Sequence, residues 1–99
     1  MRKATKVIAA ADVFEPAPKL TFNLDDDGLT VFDARGGSYW RGNATAGEVM
    51  EGIRLGRPVN TLITSIAEAY KVDHERVRED IHALLAELEQ HGIIRRVRP

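Results

Sequence analysis

Residues 20–41 read LTFNLDDDGLTVFDARGGSYWR, and the fold is decided there. Leu20, Phe22 and Leu24 alternate with Thr21 and Asn23, the period of two of a half-buried strand. Asp25-Asp26-Asp27-Gly28 then makes a turn, with Gly28 free to take a positive φ. Leu29 to Ala34 holds the β formers Thr30, Val31 and Phe32 and reads as a second strand. Arg35-Gly36-Gly37 turns the chain again, and Ser38 to Arg41 is a short third strand with Tyr39 and Trp40 adjacent. Three strands joined by tight turns form an antiparallel meander.

After Asn43 the period becomes helical. Thr45-Ala46-Gly47-Glu48 has the form of a capping box, and Val49, Met50, Ile53 and Leu55 supply an apolar stripe that Gly56 ends. Asn60 is placed to cap a second helix whose Leu62, Ile63, Ile66, Ala67 and Tyr70 face inward. Asp73 is placed to cap a third, and Val77, Ile81, Leu84, Leu85 and Leu88 form its unbroken seam. Gly92 closes that helix, and Ile93-Ile94 fold back on the core. The expected fold is α+β and winged-helix-like: a three-stranded antiparallel sheet followed by three helices.

Upstream of the meander, residues 1–19 read as a flexible N-terminal arm of net charge +2, with the domain proper over 20–96. Pro16 and Pro18 favour an extended path and argue against a helix running into the domain. Val7, Ile8, Val13 and Phe14 are the arm residues able to dock.

Composition excludes several function classes. At 99 residues with 43% apolar and 29% charged content, the chain makes one small globular domain. The absence of cysteine removes disulfides, thiol catalysis and thiolate metal sites. The longest apolar stretch, Val7 to Ala11, is too short for a membrane span or a signal sequence, so a cytoplasmic protein is expected. The three aspartates lack the alternate-position spacing of a calcium loop, and no two of His74, His82 and His91 lie at the i, i+4 spacing of a helical metal site. No nucleophile elbow, phosphate-cradling glycine loop or paired-acid spacing appears, so neither catalysis nor a cofactor is expected.

A winged helix raises DNA binding as a rival reading. Fourteen basic and fifteen acidic residues give a net charge of −1, with no basic surplus. Residues 73–91 carry six acids against two bases, a balance of −4 that is repelled by phosphates. Only Arg95, Arg96 and Arg98 form a basic tail.

Tyr39 and Trp40 are more informative. Adjacent strand residues point to opposite faces, so only one of them lies in the core. The other is exposed, covered by a partner, or lies under the arm or a helix end, and the residues alone leave these open. A strand that comes last in a meander also tends to lie at a sheet edge, whose unpaired main-chain groups are a template for another chain.

The motifs Asp26-Asp27-Gly28-Leu29-Thr30-Val31-Phe32-Asp33, Gly37-Ser38-Tyr39-Trp40 and Asn43-Ala44-Thr45-Ala46 resemble those of the PqqD-like RiPP recognition elements. The match continues through Gly56, Tyr70-Lys71-Val72-Asp73 and Gly92-Ile93-Ile94, over roughly residues 18–96. Gly42 stands where the family usually has an apolar residue. Within the family the chain is most similar to the stand-alone leader-binding proteins of lasso peptide biosynthesis, with the pyrroloquinoline quinone biosynthesis chaperone as the other relative. The resemblance implies a non-catalytic adaptor that holds the leader of a ribosomally made precursor peptide and presents it to a leader peptidase and an ATP-dependent cyclase. It also implies that the leader adds beside the third strand and packs against the third helix. Carried onto this chain, Ser38 to Arg41 supply main-chain hydrogen bonds, and Tyr39 or Trp40 with Val77, Ile81 and Leu84 form the apolar floor. Asp80 accepts from the leader, and Arg41 and Arg76 meet its acids. Neither nucleic acid nor a membrane is an expected partner.

Overall fold

The computed structural model describes residues 7–97. Its elements are β1 (Phe14–Pro16), β2 (Leu20–Asp25), β3 (Gly28–Asp33), β4 (Ser38–Gly42), α1 (Ala44–Arg54), α2 (Val59–Tyr70), α3 (His74–Gln90) and β5 (Ile94–Arg96). The meander forms as its alternation requires, in the order β2-β3-β4, with all pairs antiparallel. Register places Phe22, Val31 and Trp40 in one row, and Thr21, Phe32 and Tyr39 in the next. Successive rows face opposite ways. Val31 is buried and Phe22 and Trp40 pack against the core, while Phe32 and Tyr39 are exposed. The β2–β3 turn is closed by Asp25, whose Oδ1 accepts from the Asp27 and Gly28 amides at 2.9 and 3.0 Å. Gly28 takes φ 146°, and a Cβ there would lie 2.1 Å from the Gly42 carbonyl oxygen. The aspartates thus serve a turn.

α1 packs on the inner face of the meander, and α2 and α3 pack on each other to complete the core. Leu29, Val49, Met50, Ile53, Val59, Ile81, Leu85 and Leu88 make the centre of the core. Gly52 lets α1 and α2 approach closely, since a Cβ there would sit 2.2 Å from Leu62.

Two of the three expected caps move. Asn43, the last extended residue of the β4–α1 link, caps α1 by accepting from the Ala46 amide at 3.0 Å, so Thr45 is already inside the helix. The second helix starts after Pro58 with no side-chain cap. Its first two N–H groups, of Val59 and Asn60, donate instead to the Asp12 and Ala10 carbonyls at 2.9 Å each. Main-chain acceptors from the N-terminal segment thus satisfy donors that a capping side chain would otherwise take. Asp73 caps α3 as expected, accepting from the Arg76 amide at 3.2 Å. Leu55 and Tyr70 point outward: Leu55 is exposed at the end of α1, and the Tyr70 hydroxyl donates to Glu48.

The expected arm is built into the fold over its described part; residues 1–6 lie outside the described residues. β1 pairs antiparallel with β5, and Phe14 is 1% exposed. Arg96 fastens the segment. Its guanidinium reaches Glu89 at 3.0 Å, Asp12 at 2.9 Å and the Val7 carbonyl at 3.0 Å, and lies over the Phe14 ring. Ile93 and Ile94 return to the core as expected.

Candidate peptide-binding edge

β3 is the middle strand of the meander, so β4 is one of its two edges. An edge strand turns alternate main-chain N–H and C=O groups away from its neighbour, where another strand can take them up. Of the expected residues, Ser38 and Trp40 lie on the inner face of β4, and Tyr39 and Arg41 on the outer.

Trp40 connects this edge to α3. Its indole Nε1 donates to Glu87 Oε2 at 2.8 Å. The ring folds back along β4: a Cβ on Gly42 would lie 2.5 Å from Trp40 Cη2 and 2.7 Å from Ala46 Cβ. Here the departure at Gly42 finds its physical reason. An apolar side chain at 42 would occupy the space that the indole takes on its way to Glu87.

The Trp40–Glu87 bond also fixes which flank of α3 turns to β4. Arg76, Asp80, Leu84 and Glu87 recur at intervals of 4, 4 and 3 and share one side of the helix. On the other side, Glu89 pairs with Arg96 beside β5. Three of the α3 residues expected at the site, Arg76, Asp80 and Leu84, therefore share the helix side whose Glu87 bonds Trp40. Arg76 and Asp80 are exposed, and Leu84 is half-buried against the core. Val77 and Ile81 are 6% and 1% exposed within the core. They stand beneath that flank as its support, and their side chains are not presented to solvent. Glu87 was not among the expected residues, although its place one turn beyond Leu84 on the Asp80 stripe is visible in the sequence.

On the outer face of β4, the Tyr39 ring stands 6.2 Å from that of Phe32, tilted by 53°. Arg41 donates from Nη1 to Thr30 Oγ1 at 2.5 Å. Of the residues that the DNA-binding reading needs, Arg95 pairs with Glu15 at 2.6 Å and Arg96 holds the N-terminal segment. Arg98 lies outside the described residues. Among the described residues no cluster of His, Asp and Glu is arranged to hold a metal, and no helix is long and apolar enough to cross a membrane.

Comparison with known proteins agrees with this architecture. The family model for coenzyme PQQ synthesis protein D (PqqD) matches residues 28–94. No curated protein matches the chain. Among solved structures, the lasso peptide synthetase B1 complexed with the leader peptide is similar at TM-score 0.75 and 26% identity, over 83% of this chain and 96% of that one. TbiB1 in complex with the TbiA(beta) leader peptide has the same fold, at TM-score 0.74 and 18% identity, over 81% and 93% of the two chains. With well over half its length matched from the β3 turn to β5, the chain belongs to the PqqD family, as a PqqD-like RiPP recognition element.

Proposed function

We propose that this protein is a non-catalytic adaptor that binds the leader segment of a ribosomally synthesised precursor peptide of lasso type. The leader adds as a strand along Ser38–Arg41, and its inward side chains meet the flank of α3 that carries Arg76, Asp80, Leu84 and Glu87. The observation that carries the reading is the pairing of a free sheet edge with that flank through the Trp40–Glu87 hydrogen bond. It is supported by the two similar solved structures, each a complex with a leader peptide. Main-chain pairing supplies affinity with little demand on sequence, and side-chain contacts on either side supply choice. Leu84 and Trp40 offer the apolar contact, Asp80 accepts from the leader, and Arg76 and Arg41 meet its acids. The protein then presents the leader to a leader peptidase and an ATP-dependent cyclase in the cytoplasm, and these partners bring the chemistry.

The description of the matching family, coenzyme PQQ synthesis, supports a second reading in which the same edge takes the precursor peptide of that pathway. The peptide that binds separates the two. Trp40 is the single tryptophan, so its fluorescence reports binding directly. Titration with synthetic leaders of lasso precursor peptides is expected to shift that emission saturably for at least one of them, with matching heat by calorimetry. Absence of both signals for every leader tried would overturn the proposal.

A further inference from the structure

Strand addition accounts for the inner face of β4 but uses only Arg41 on its outer face, and that face carries an unusual patch. Tyr39 is 72% exposed and Phe32 40%, the two rings forming a tilted pair on adjacent strands. Beside them Arg41 is exposed and tied to Thr30. Among the described residues no helix covers this side: α1 packs against β3 on the opposite face, where Leu29 and Val31 are buried. Two large aromatics and an arginine side by side on open sheet are what specific interfaces select, and what an ordinary solvated face avoids.

The patch is continuous with the edge where the leader is placed. A strand laid along β4 has side chains that alternate, as those of β4 do. Half of them point towards α3; the other half emerge on the outer face, level with Tyr39 and Arg41. The ladder Thr21–Phe32–Tyr39 would gain a fourth member from the incoming strand, and so would the ladder Asn23–Thr30–Arg41. Directly opposed cross-strand pairs interact through aromatic, β-branched and opposite-charge contacts.

Resting on the leader-binding reading, we infer that the outer face of β4 is a second specificity surface, which selects an aromatic or β-branched side chain opposite Tyr39 and, two residues away, an acid opposite Arg41. The partner is thus an extended peptide read on both faces. Its outward positions carry an apolar–x–acidic pattern, in the order set by the direction of the added strand. Phe32 acts by buttressing the Tyr39 ring from the neighbouring strand.

The test uses the full chain and a displayed library of extended peptides of about twelve residues, randomised at every position. Selection is carried out with the wild type, Tyr39→Ser and Arg41→Glu. Wild-type binders are expected to share apolar and acidic positions two apart, in addition to the alternate set that faces α3. Tyr39→Ser should weaken aromatic-bearing binders about three- to tenfold and leave serine-bearing versions of the same peptides unchanged. Arg41→Glu should change the selected acid to lysine or arginine. Both side chains are exposed, so the variants are expected to fold; Phe32→Thr, which keeps a β former, provides a further variant with the same expected loss for aromatic-bearing binders. Binders whose preferences fall only on the set facing α3, with affinities unmoved by all three variants, would overturn the inference and leave strand addition standing. A library that yields no binder would overturn the leader-binding reading, and this inference with it.

Discussion

At the scale of single residues, the link between β4 and α3 depends on Trp40 and on the glycine that makes room for it. Gly42→Val forces the indole off β4, because its ring lies where the new side chain must go. The expected cost is about 1–3 kcal/mol of stability by urea unfolding, as for other overpacked sites, together with a displaced indole N–H resonance. Glu87→Ala removes the acceptor at 2.8 Å and Glu87→Gln keeps one. Only the alanine variant should return the indole N–H to a solvent-exposed shift, at a cost of about 1 kcal/mol. Tyr70 gives a test by pH. The hydrogen bond to Glu48, and then the carboxylate's charge, hold that phenol above its ordinary 10.0. Since the folded value is raised, the bond contributes below the ordinary value and is lost as pH climbs through the folded one. In a Tyr39→Phe background Tyr70 is the single tyrosine, and its ultraviolet titration should lie above 10.0 until Glu48→Ala, which removes both the acceptor and the charge, brings it back. Of these residues the sequence showed Trp40 and the departure at Gly42. The bond to Glu87 was hidden, because it joins positions 47 apart that no local period connects.

At the scale of elements, the meander and the three helices were legible because each buries one face and writes it as a period of two or of 3.6. Helix starts were less so. The α2 donors are met by the Asp12 and Ala10 carbonyls, and a main-chain acceptor leaves no residue type to read. The same holds for β1 and β5, three residues each, too short for a period and separated by most of the chain. What makes the N-terminal segment part of the domain is Phe14 in the core and Arg96 across it. Phe14→Ala should therefore destabilise the whole domain by about 3–5 kcal/mol, as large-to-small changes at buried aromatics do. A flexible arm predicts no change in the urea midpoint. Val77 and Ile81 illustrate the limit for the site: an apolar seam shows that residues are covered, but core and ligand cover them alike.

At the scale of the whole molecule, net charge says little and its placement says more. The acids of α3 divide between two flanks: Glu89 binds Arg96 beside β5, while Glu87 bonds Trp40 on β4 and Asp80 shares its side of the helix. Arg95 and Arg96, the basic tail within the described residues, are spent on Glu15, Glu89 and Asp12. The result is a small body with one sheet edge set beside one helix flank, and function is assigned to that juxtaposition. Backbone hydrogen exchange on the full chain, with and without a synthetic lasso-precursor leader that shifts the Trp40 emission, tests this most directly. The leader is expected to slow exchange across Ser38–Gly42, while β2, the opposite edge, exchanges as before. Protection at β2 or on the outer faces of α1 and α2, with β4 unchanged, would contradict it.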